Sequence, residues 1–412
     1  MALYHALAIM TVLAALFAYF NHRFIKLPGT IGIMLMSLLC SLVLILVGLV
    51  NRGLLEGVIR MVKSIDMYTL LMKMMLGFLL FAGAIHLDGA SMRAQRWPIL
   101  AFSTVGTVLS TFLVGGLFYA LCLVLRLPVG FLYCLLFGAL ISPTDPIAVL
   151  SILRDAKIPA SLETKISGES LFNDGVAVVI FLSIYEMITG GAAHVDAGKI
   201  GLLFVQEAGG GVLLGLLVGY GGFLLIRSID RYEVEVMITL AIVAGGSLLA
   251  EALQVSGPIA MVVAGLVTGN KSRRVGMSEQ TRDYLDKFWE MIDEFLNALL
   301  FLLVGFQLLV LPFNKGFLIL GLAAIPIVLI ARYLSVLAPM RVLRKLMAMT
   351  FERNVVPLLT WGGLRGGISI ALALAIPVEM QGELFVVVTY IVVLFSILVQ
   401  GLTIGKVVRK LV

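Results

Sequence analysis

Thirteen predominantly apolar runs separated by polar breaks lie along the chain. They fall near residues 3–20, 30–50, 67–88, 97–125, 129–152, 165–189, 200–227, 234–252, 256–270, 289–311, 316–340, 354–377 and 384–408. All but the short ninth run approach or exceed the roughly 20 residues that cross a bilayer as a helix. Lipid offers no partner to open backbone groups, so each crossing is predicted to be α-helical. Segment 271–290 is the one long polar stretch. Its Glu279, Asp283, Asp286, Lys287 and Glu290 predict an amphipathic cytoplasmic helix leading into the tenth span.

Three runs are interrupted by groups that do not belong in hydrocarbon. The sixth carries Gly168-Glu169-Ser170-Leu171-Phe172-Asn173-Asp174-Gly175. A charge at the centre of a spanning helix costs about 2.5–3.5 kcal/mol on insertion scales, which makes a buried acid a functional candidate. Helical spacing puts Ser170 with Asp174 on one face and Glu169 with Asn173 on a face about 100° away. One side therefore offers oxygen ligands, and the other a carboxylate in need of a counter-charge. The fifth run carries Ser142-Pro143-Thr144-Asp145-Pro146. Its two prolines break the helix and free carbonyls around Thr144 and Asp145. The twelfth carries Trp361-Gly362-Gly363-Leu364-Arg365-Gly366-Gly367, a weak helix that lets another backbone approach.

Position adds to this. Six runs on either side of the seventh make two halves, 1–190 and 231–412, around a linker at 191–230. The broken elements are then the fifth span of each half. Paired interrupted helices in corresponding positions point to inverted repeats and a midplane site. Six is even, so a single linker span inverts the second half. Half-helix ends carry partial charges of about ±0.5. Asp145 is expected to offset the positive ends and Arg365 the negative ends, with Glu169 and Arg365 forming a structural ion pair.

Of 412 residues, 61% are hydrophobic and 13% charged. A soluble domain holds about 25% charged residues, so that class is excluded. With the N-terminus outside, the inner segments hold 21 of the 30 Lys and Arg residues and the outer segments 6; Lys73, Arg332 and Arg365 fall within spans. This asymmetry orients the chain with its C-terminus in the cytoplasm. It also accounts for the net charge of +6, which gives no case for nucleic acid. Cys40, Cys122 and Cys134 sit in apolar runs without metal-ligand or paired spacing, and His5, His22, His86 and His194 are scattered. No cofactor is expected. Met1 to Tyr4 lack the positive charge of a signal peptide, so the first run is expected to be retained.

The motifs "SPTDP", "GESLFNDG" and "WGGLRGGISIALAL", with "VSGPIAMVVAGLVTGN" and "FWEMIDEFLNALLFLLVG", resemble those of bacterial and archaeal sodium/proton antiporters. The likeness is to the electroneutral branch of the monovalent cation/proton antiporter superfamily, related to animal sodium/hydrogen exchangers. It covers essentially the whole chain. It implies an all-α protein of about thirteen transmembrane helices, a homodimer in the plasma membrane, working by alternating access in pH and sodium homeostasis. It implies that Asp174 binds cation and proton in turn, that Asn173 is the amide of the Asn-Asp pair, and that Thr144, Ser170 and Asp145 belong to the ion site. The Na⁺ ligands are then Asp174, Ser170 and Thr144. One departure stands out: Ala82, in Phe78-Leu79-Leu80-Phe81-Ala82-Gly83, occupies the place of a glutamate that some relatives carry.

Hard oxygen ligands suit hard cations such as Na⁺ or Li⁺. Burial penalises the bare carboxylate, so proton and Na⁺ compete for it. With Asn173 neutral, one titrating carboxylate carries one positive charge in either loaded state, and exchange is one for one. Proton and cation are substrates; the chain is not read as an enzyme. The alternatives are a K⁺/H⁺ antiporter of the same fold, a cation channel, and an intramembrane aspartyl protease, whose motifs are absent. Lys73 is expected to snorkel toward the outer face.

Overall fold

The computed structural model describes residues 2–146, 150, 153, 158–190, 197–275, 277–312 and 314–411. Most of 147–152, with Arg154, Lys157 and His194, lies outside the described residues. A helix occupies each of the thirteen apolar runs, and no strand is found among the described residues. Among the described residues, nine helices are long and apolar enough to cross a membrane, with shorter apolar segments at Thr69–Ile85 and Phe131–Ile141. The protein is a multi-pass, all-helical membrane protein.

Burial shifts several boundaries. The sixth run begins early, as a 30-residue helix Ala160–Thr189, most of whose middle is buried. The short ninth run is a full helix, Gly257–Val275. It lies between the helices Ala197–Arg227 and Leu76–Ile85. Small residues set the spacing on one side: a methyl on Gly215 would come within 2.5 Å of the Ala260 carbonyl oxygen, and one on Gly219 within 2.9 Å of Ala264 Cα. Such small-residue faces let backbones approach where water supplies no driving force. On the neighbouring flank Trp289 is wholly buried, donating to Thr239 Oγ1 at 3.0 Å and packing on Phe81 with ring centres 4.8 Å apart.

The polar stretch 271–290 leads into the tenth run, but only from Glu279 on. Its first part ends Gly257–Val275, and the rest opens the continuous helix Glu279–Phe306, capped by Ser278, whose side chain accepts from Thr281 N. An unforeseen helix, Arg52–Lys63, is capped by the Asn51 side chain. Leu55, Val58, Ile59 and Val62 face the core at helical spacing, while Arg52, Glu56, Arg60 and Lys63 stay polar.

Candidate functional site

The interrupted fifth and twelfth elements meet. The helix Phe131–Ile141 ends before Ser142, and Val355–Trp361 stops before Gly362; the chain resumes as a helix at Gly367–Leu374. Between these ends Asp145 N donates to the Leu364 carbonyl at 2.8 Å, an isolated antiparallel bridge between two extended segments. The glycines allow the contact. A methyl on Gly366 would meet Asp145 Oδ2 at 2.6 Å and Asp145 Cβ at 2.8 Å. Asp145 thus sits at the N-terminal, positive end of Gly367–Leu374, as expected from the half-helix charges.

Arg365 is 2% exposed and reaches the opposite kind of end. Its Nη1 donates to the Ser142 carbonyl and to the Pro143 carbonyl at 2.9 Å. These are carbonyls that the stopped helix leaves without intrahelical partners. Its backbone N–H donates to Ser396 Oγ at 2.9 Å, and Ser396 is held by Gln400.

The expected Glu169–Arg365 ion pair is not formed. Glu169, 1% exposed, accepts instead from Arg332 Nη1. Arg332 lies in the helix Lys315–Met347 and also donates from Nε to the Leu359 carbonyl at 3.3 Å. The physical reason is competition: the broken helix end offers Arg365 two carbonyl acceptors, and Arg332 arrives from a third element to neutralise Glu169. Glu169 Oε2 and Arg365 Nη2 have no hydrogen-bond partner among the described residues. Arg332 was visible in the sequence as one of three cations inside spans, but nothing in its flanking residues signals a role.

Around the ligand face the structure brings together the other residues singled out. Thr144 Oγ1 and Ser170 Oγ are 3.0 Å apart. Asn173 Nδ2 donates to Thr144 Oγ1 at 2.8 Å, and Thr144 N donates to Asn173 Oδ1 at 3.4 Å. Asn173 therefore ties the site helix to the break in the fifth element. Asp174 is 7% exposed, and no described residue donates a hydrogen bond to it. The charge that acts on it is that of Asp145. A buried carboxylate with no described donor, one helical turn from Ser170, whose hydroxyl lies 3.0 Å from that of Thr144, suits a small cation or a proton. No group of three or more metal-ligating side chains of the His, Cys, Asp and Glu kind occurs among the described residues. Ala82 is fully buried with Phe81 and Ile85, leaving no acid at that position.

Two broken helices crossing at a buried carboxylate define a secondary transporter with its site between interrupted elements. Residues 11–410 match the model of the sodium/hydrogen exchanger transmembrane family, and the chain belongs to that family. It is 48% identical over 407 residues to the Na⁺/H⁺ antiporter NhaP of Pseudomonas aeruginosa, covering 98% of this chain and 96% of the relative. It is 35% identical to the Na⁺/H⁺ antiporter NhaH of Halobacillus dabanensis, covering 94% and 93%. The fold matches the structure of the sodium proton antiporter MjNhaP1 from Methanocaldococcus jannaschii with a TM-score of 0.74 at 20% identity, covering 100% and 99%.

Proposed function

We infer that this chain exchanges Na⁺ for H⁺ across the membrane, one for one, by loading Asp174 with cation and proton in turn. It is a transporter and not an enzyme, and Na⁺ and H⁺ are its substrates. The observation that carries the reading is the cluster itself: Asp174, buried with no donor among the described residues, one helical turn from Ser170, whose hydroxyl lies 3.0 Å from that of Thr144, next to the meeting of two interrupted elements. Thr144, Ser170 and Asp174 supply oxygens to the cation; Asp145 adds negative charge, and Asn173 fixes Thr144. Asn173 is neutral, so one carboxylate does the exchange and the cycle carries no net charge. Relatives named for Na⁺ favour it over the K⁺ alternative.

The same reading places the protein in the plasma membrane with its C-terminus in the cytoplasm. Residues assigned to one face by alternating spans meet in space, which supports that alternation: Lys165 with Glu352 at 2.6 Å, His86 with Asp286 at 3.6 Å, and Thr281 with Asp230 at 3.4 Å. The antiparallel contact of Asp145 with Leu364 supports halves 1–190 and 231–412 as inverted repeats around 191–230. Alternating access and a homodimer complete the reading, and the mass of the detergent-solubilised particle tests the dimer. The function is tested in everted vesicles by following proton movement on adding Na⁺, Li⁺ or K⁺ separately. Na⁺ and Li⁺ move protons and Asp174→Asn abolishes the response; a response to K⁺ alone overturns the Na⁺ assignment.

A further inference from the structure

The helix Glu279–Phe306 carries oxygen-bearing side chains spaced alternately by three and four residues: Asp283, Asp286, Glu290, Asp293 and Asn297. That rhythm keeps them on one face. Asp283 and Glu290 are exposed, Asp286 and Asp293 half-buried, and only Asn297 at the inner end is buried. The Asp283 side chain is 60% exposed and paired with Lys287, Asp286 faces His86, and Asn297 is 1% exposed. Asn297 Nδ2 donates to the Asp293 carbonyl at 2.8 Å and to Asp293 Oδ1 at 3.1 Å. The Asn297 Oδ1, on the same amide carbon, is buried without a hydrogen-bond partner among the described residues. Buried polar atoms are ordinarily satisfied, so an orphaned carbonyl oxygen beside a carboxylate marks a place for a cation.

The stripe leads to the crossing. Three residues beyond Asn297, about 4.5 Å of rise, Leu300 lies against Gly367, and Gly366 lies against Asp145. Asp145 acts electrostatically on both Asp293 and Asp174. Through Leu300 and Gly367 this helix face therefore abuts the break that carries Asp145. We propose that Asp293 and Asn297 form an outer cation station, through which Na⁺ passes between the face where the Glu279–Phe306 helix begins and the Thr144–Asp174 site. The ligands are one Asp293 carboxylate oxygen and Asn297 Oδ1, with water completing the shell. The proposal rests on the antiport reading above and adds a route to it.

The test uses the full chain in everted and right-side-out vesicles, with Na⁺ added to one face at a time. With Na⁺ at the cytoplasmic face, Asp293→Asn and Asn297→Ala raise the apparent KM for Na⁺ by roughly three- to tenfold, with maximal rate within about twofold of the parent. With Na⁺ at the opposite face the same variants leave KM within about twofold. Asp293→Glu, which keeps the charge, restores most of the cytoplasmic affinity. An unchanged KM, or one raised equally from both faces, overturns the station. So does a fall in thermal stability and maximal rate at constant KM, which would make the pair structural. Persistent exchange in Asp174→Asn would instead mean that the antiport reading has failed.

Discussion

The side chains around the crossing divide into those that meet the transported ion and those that hold the frame. On the proposed function Asp174 belongs to the first group, a reading supported by its burial with no donor among the described residues. Asp174→Asn keeps the shape and removes the charge. It should abolish Na⁺-driven proton movement while leaving the melting temperature of the solubilised protein near that of the parent. Arg332 belongs to the second group. Arg332→Ala strands Glu169 as a buried, unpaired charge, and removing one partner of such a pair typically costs about 3–5 kcal/mol. The melting temperature should therefore drop steeply. Arg332→Ala in a Glu169→Gln background should lose far less, and equal losses in the two backgrounds would refute the pairing. The sequence made the acids, hydroxyls and amide of the site legible because each stands out against an apolar background. It did not reveal Glu169's partner. Two buried arginines, 332 and 365, were available, and choosing between them depends on which carbonyls the broken helix exposes.

At the scale of elements, the prolines at 143 and 146 and the glycines at 362–367 announced where helices stop, and the structure stops them there. Proline and glycine act through local backbone geometry, so their effect is readable without the fold. The helix Arg52–Lys63 escaped notice because it does not cross a membrane, and span length was the signal in use. Residues 279–290 continue into the tenth run as a single helix, because a change from polar to apolar sequence does not require a change of element. Gly366 offers an element-scale test. A β-carbon there would collide with Asp145, so Gly366→Ala should separate the two broken elements and cut the exchange rate at least about tenfold. A near-parental rate would show that the Asp145–Gly366 contact is dispensable.

At the scale of the molecule, the reading makes charge and pH the informative variables. Glu352 lies in the loop after Lys315–Met347. Burial pushes its carboxyl upward, but hydrogen bonds from Lys165 and Ser161 outweigh that and leave it below its ordinary value of 4.5. A depressed folded value stabilises the fold above about pH 4.5, and that contribution is lost as pH falls through the folded value. Glu352→Gln should flatten the acid limb of a plot of melting temperature against pH. A variant whose acid limb matches the parent's would remove Glu352 from the account. One-for-one exchange further requires that rates in proteoliposomes do not change when the membrane potential is clamped at different values; a rate that scales with voltage would rule that stoichiometry out.

The central claim is that cation and proton share a single carboxylate, Asp174. It is tested most directly by initial exchange rates against Na⁺ concentration at several pH values in proteoliposomes. Competition for one site predicts that a lower pH raises the apparent KM for Na⁺ and leaves the maximal rate at saturating Na⁺ unchanged. In Ser170→Ala, which lacks one neutral ligand, the KM should be higher at every pH, with the same proton competition. A proton effect on the maximal rate alone, at constant KM, would contradict the claim and place the proton on another residue.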